Sequence, residues 1–172
     1  MARHRGPVLV DTNAILECWR AGAWRALTGG YRVETVEDCV IETQTGYQRR
    51  RPEQQIELSA LQASLAVVHK VGDAERAAAV LLDPMFGFLD VGEQSLWAHA
   101  LMRNDAWVLC GPDKASLRFG VRRQCRDRLV ALEDLLQAVG HRPATALRTN
   151  YTSRWLAGTL TEIVMSEGSK RS

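Results

Sequence analysis

Val8-Leu-Val-Asp-Thr-Asn-Ala-Ile-Leu16 decides how the rest of the chain is read. Val8, Leu9 and Val10 form a short apolar run with β-branched residues, the pattern of a strand buried on both faces. Asp11 ends the run. Ala14, Ile15, Leu16 and Trp19 then recur at helical spacing, and Thr12 or Asn13 is a suitable N-cap. Asp11 therefore stands at the carboxyl end of a strand, where a helix begins. In open α/β sheets that edge is where ligands bind. Alone, an Asp-Thr-Asn triplet is equally served by helix capping, so the remaining chain must decide.

The 172 residues suffice for one domain with a proper core, and 46% hydrophobic with 24% charged residues is an ordinary globular composition. A net charge of +2 does not by itself mark a nucleic-acid binder. The Met-Ala-Arg-His-Arg start is charged, and the apolar run after it is broken by Asp11, so no signal peptide is expected. No segment is long and apolar enough to span a membrane. Cys18, Cys39, Cys110 and Cys125 are scattered, as small core residues in a reducing, cytoplasmic setting would be. The four histidines also lack ligand spacing, which speaks against zinc.

Strands and helices alternate along the chain. Strands are predicted at Val8–Val10, Tyr31–Val36, Leu65–Val71, Ala106–Cys110 and Arg128–Leu132. Helical patterns follow each of them, and the one after Leu132 is closed by Gly140. This is the signature of an α/β fold: a central parallel sheet of five strands with helices on both faces. Residues 1–140 form the expected domain. Residues 141–172 form a C-terminal extension with one amphipathic helix from about Thr152 to Met165, packed on that domain or at a dimer interface.

Four carboxylates share one placement. Asp11 and Asp113 each lie just past an apolar strand, while Glu42 and Glu93 lie on helices that right-handed crossovers bring to the same sheet edge. Carboxylates gathered in one cleft repel one another unless a cation compensates. Hard oxygen donors of this kind suit Mg²⁺ or Mn²⁺. Such ions activate water and neutralise charge on a phosphodiester under attack. No Ser, Cys or His is placed as an activated nucleophile.

These pieces resemble the PIN-domain ribonucleases, the group that includes the VapC toxins of toxin–antitoxin systems. The resemblance is carried by Val8-Leu-Val-Asp-Thr-Asn13, Val36 through Cys39 to Glu42, Leu89-Asp-Val-Gly-Glu93 and Gly111-Pro-Asp-Lys114, and it extends to about Gly140. It implies a PIN-like nuclease domain with Asp11, Glu42, Glu93 and Asp113 at the metal and catalytic positions, supported by Thr12 and Asn13. It also implies Mg²⁺ or Mn²⁺ as cofactor, RNA as substrate, a homodimer, and a small antitoxin that covers the site. Asp90 is the rival of Glu93, and Glu37 the rival of Glu42. Lys114, Arg118 and Arg122 are the candidate RNA contacts. His69 and His99 read as structural. Gly-Pro-Asp stands where the family often has a hydroxyl residue before the Asp, which leaves a non-catalytic RNA- or protein-binding module as the alternative. A phosphatase of the haloacid-dehalogenase type wants a second Asp where Asn13 stands.

Overall fold

The computed structural model describes residues 2–170; Met1 and the last two residues of the expected C-terminal extension lie outside the described residues. Four parallel strands form one sheet in the order β3-β2-β1-β4, where β1 is Val8–Val10, β2 Val33–Val36, β3 Val67–His69 and β4 Val108–Cys110. The strand that carries Asp11 is thus central, paired through Val8 to Val33 on one side and to Val108 on the other. All three of its residues are fully buried.

Period-two alternation divides the core. Leu9, Val36 and Leu109 face a layer built on Trp97, Phe86 and Phe119. Val8, Val10, Val33 and Cys110 face Ile15, Leu27, Leu132 and Leu135. Helices therefore cover both faces of the sheet, as a parallel sheet requires. The covering elements are α1 (Thr12–Arg20), α2 (Trp24–Gly30), α3 (Glu37–Gln44), α4 (Leu58–Ser64), α5 (Asp73–Leu82), α6 (Val91–Leu101), α7 (Lys114–Arg122), α8 (Leu132–Ala138) and α9 (Ser153–Ser169).

The expected fifth strand is not a strand. Leu129 makes one parallel bridge to Leu109, and the Val130 N–H donates to the Leu109 carbonyl at 3.0 Å. A 3-10 turn takes up Arg126–Arg128, and α8 begins at Leu132. Too little extended chain remains between them to continue the ladder. The strand expected over Leu65–Val71 is likewise shortened, because α4 runs to Ser64.

α9 packs onto this domain. Leu156, Leu160 and Ile163 enter the layer of Trp97 and Phe119. Its far end is held by ion pairs from α7: Arg118 to Glu167 at 2.7 Å and Arg122 to Glu167 at 3.1 Å. The connecting segment is tied to α1, where the buried Glu17 carboxylate accepts the Arg148 N–H at 2.7 Å. Among the described residues no helix is long and apolar enough to cross a membrane.

Candidate functional site

The carboxyl ends of β1, β2 and β4 deliver one acid each, directly or through the helix that follows. Asp11 is the N-cap of α1: its Oδ1 accepts the Ala14 N–H at 2.7 Å. The cap is thus Asp11 itself and not Thr12 or Asn13. A single oxygen does the capping, which leaves Oδ2 for other work. Oδ2 lies against Gly111, where a Cβ would stand only 2.7 Å from it. The glycine is what admits the carboxylate to the edge of β4.

Glu42 comes from α3 and is oriented by two donors. The Thr12 hydroxyl donates to Oε2 at 2.5 Å, and the Gly92 N–H donates to Oε1 at 2.9 Å. A Cβ on Gly92 would meet Oε2 at 2.6 Å, so this close approach also needs a glycine. Glu93 follows in the first turn of α6. It forms a reciprocal capping box with Asp90: the Glu93 N–H donates to Asp90 Oδ1 at 2.8 Å, and the Asp90 N–H donates to Glu93 Oε2 at 3.3 Å. Glu93 Oε1 is buried and has no hydrogen-bond partner. Asp113, exposed, caps α7 through the Ala115 N–H at 2.7 Å.

The electrostatics set this group apart. Burial pushes the Asp11 carboxyl up to about 7, and the charges of Asp90, Asp113 and Glu42 add to the rise against the Ala14 hydrogen bond. Burial likewise pushes Glu93 up to about 8, reinforced by Asp113, Asp90 and Asp11. Among the described residues, no Lys, Arg or His forms an ion pair with any of these five acids. Buried carboxylates without a compensating charge are costly. A bound cation would relieve that cost, and oxygen donors suit a hard divalent ion, although among the described residues no three of these acids bring ligand atoms within 4.8 Å of one another.

The structure therefore brings Asp11, Glu42, Glu93 and Asp113 to one edge. Asp90 joins them instead of replacing Glu93. Glu37 stays outside: it is exposed in the first turn of α3 and lines an apolar groove with Val40, Ile41 and Leu58. Thr12 supports Glu42. Asn13 is exposed, and its carbonyl accepts the Tyr151 hydroxyl at 3.2 Å.

Lys114 is exposed beside Asp113. Arg118 and Arg122 are engaged elsewhere: Arg122 clasps Asp83 at 2.7 and 3.0 Å, and both hold Glu167. Arg128 stacks over Trp107, 4.6 Å from the ring centroid. Arg50 donates to the carbonyls of Thr43 and Glu42 and so closes α3.

A second polar cluster escaped the sequence reading. Glu34, His69 and His99 come from β2, β3 and α6, and Arg103 reaches in among them. No spacing reveals it, because the three ligand-type residues are brought together only by sheet pairing and by the packing of α6 on β2.

No protein-family model matches the sequence, and neither a curated protein nor a solved structure matches it.

Proposed function

We propose that the chain is a metal-dependent endoribonuclease of PIN-like type that hydrolyses RNA phosphodiesters. The observation that carries this reading is the uncompensated acid cluster: two buried carboxyls driven toward neutrality, one with an orphaned oxygen, at the sheet edge where α/β ligands bind. A structural role favours acids paired with cations, and among the described residues these have none.

In this reading Asp11, Glu93 and Asp113 hold the ion, and Glu42 completes the acidic wall. Bound Mg²⁺ or Mn²⁺ supplies an activated water and neutralises charge developing on the phosphodiester. Thr12 and the Gly92 N–H keep Glu42 in its orientation. Gly111 keeps the Asp11 carboxylate at the edge of β4. Lys114 is the nearest exposed cation in sequence to the acids and is suited to meet an RNA phosphate. The toxin role, with a small antitoxin over the acids and a homodimeric state, follows from the motif resemblance.

The test is cleavage of end-labelled structured RNA by the purified chain with Mg²⁺, with Mn²⁺ and with EDTA, alongside Asp11→Asn. Metal-dependent cutting that the variant loses supports the nuclease. RNA retained but uncut under every condition supports the non-catalytic binding module. Growth arrest on expression, abolished by Asp11→Asn, tests the toxin role separately.

A further inference from the structure

Glu34 is a fully buried carboxylate in the amino half of β2, at the opposite end of α6 from Glu93. One of its oxygens, Oε1, is held by Arg32 Nε at 2.6 Å. The other, Oε2, is 2.6 Å from His69 Nε2 and 2.7 Å from Arg103 Nη1. Arg103 Nη1 is also 2.9 Å from His99 Nε2 and 3.4 Å from His69 Nε2. The two imidazoles stack with centroids 3.8 Å apart. One carboxylate oxygen and two imidazole nitrogens thus lie within 4.8 Å of one another.

Two histidines and one glutamate are the donor types of three-ligand sites for late first-row ions, and His69, whose Nε2 now donates to Glu34, would have to carry its proton on Nδ1 to join them. At present Arg103 Nη1 stands among these three atoms and pairs with the buried Glu34, so an ion must displace it. Arg103 Nε and Nη2 form a bidentate pair with Asp105 at 2.9 and 2.6 Å, on the more exposed side of the cluster. Because the guanidinium is a rigid plane, Nη1 leaves the cluster only if the whole group moves, and the Asp105 pair moves with it.

The geometry points to a second metal site, formed by Glu34, His69 and His99, that takes a divalent late transition ion such as Zn²⁺ in exchange for Arg103 Nη1. It is separate from the acid cluster in position and in chemistry, because nitrogen donors select softer ions than carboxylates alone.

Equilibrium dialysis of the full chain against Zn²⁺, in excess Mg²⁺ to occupy the hard oxygen site, tests it. The visible spectrum of the Co²⁺-substituted protein reports nitrogen ligation. We expect one tightly held equivalent of Zn²⁺ in the wild type and in Asp11→Asn. His69→Gln and His99→Gln should each weaken it more than about 10-fold, and Arg103→Gln should tighten it. Thermal melts followed by circular dichroism establish that the histidine variants are folded, and either variant suffices. Zn²⁺ lost with Asp11→Asn but kept in both histidine variants would overturn the site. So would binding seen only in Arg103→Gln, which would make the guanidinium the permanent cation.

Discussion

Glu34 and Glu93 are both buried glutamates touched by the same helix, yet they have opposite chemistry. Burial pushes the Glu34 carboxyl up, but hydrogen bonds from His69, Arg32 and Arg103 outweigh it, and the net result lies below the ordinary carboxylate range. Glu93 meets Asp113, Asp90 and Asp11 in the same situation, and its carboxyl rises to about 8. Loss of solvent is common to both. What differs is the sign of the neighbours. The lesson is that burial alone does not set the charge of an acid; the sign of its neighbours decides it. Glu34 meets Arg32, His69 and Arg103, whereas the groups that act on Glu93 are Asp113, Asp90 and Asp11.

The comparison can be broken most forcefully at Glu34. Glu34→Ala removes the carboxylate on which Arg32, His69 and Arg103 converge, and should cost about 3–5 kcal/mol in chemical denaturation, the usual result of orphaning a buried ionic partner. A loss below about 1 kcal/mol would mean that water already screens this cluster.

The next effect is on activity. Asp11→Asn keeps the capping oxygen for Ala14 but loses the charge, so Mg²⁺-dependent RNA cleavage should fall by on the order of 100-fold or more, the scale of losing one preorganised charged group. The same substitution should raise stability without metal, since it removes a strained charge. A rise of roughly 1–2 kcal/mol at pH 8 is expected, and a fall would show that Asp11 is a structural cap first.

The pH dependence sharpens the contrast further. Folded Asp11 and Glu93 have carboxyls raised to about 7 and about 8, against roughly 4 in an unfolded chain. Between those limits the folded state binds more protons than the unfolded one. Metal-free stability contributed by these two groups is therefore greatest near pH 4 and falls as pH rises to about 8. Saturating Mg²⁺ should offset the loss most at the upper end, because it binds the ionised form. Thermal melts across pH, with and without Mg²⁺, show this; curves that stay parallel would argue against a cation at the acids.

The smallest effect expected is at Gly92. Gly92→Ala places a methyl 2.6 Å from Glu42 Oε2 and must push that carboxylate aside. Cleavage should drop by roughly 10-fold, with little change in melting temperature, if Glu42 completes the acidic wall.

Much of this was legible from the chain itself. The apolar run before Asp11, its likeness to the run before Asp113, and the helix after each place both acids at strand carboxyl ends, because parallel right-handed crossovers leave little other choice. Local propensity and period also found α6, α7 and the last helix, since each carries its apolar stripe in its own residues. The fifth strand failed for a local reason: Leu129-Val-Ala131 is apolar enough for a strand, but a 3-10 turn and a helix on either side consume its ends.

What sequence alone determined is therefore the order of elements and the edge at which acids collect. Those follow from short-range periodicity and from chirality that every parallel sheet shares. Tertiary structure decided which acids face one another without a cation, which arginines are consumed by Glu167 and Asp83, and that Glu34, His69 and His99 meet at all. Those outcomes depend on which side chains from distant segments arrive at the same few ångströms, and Coulomb and desolvation energies are set there, by neighbours that spacing along the chain does not record.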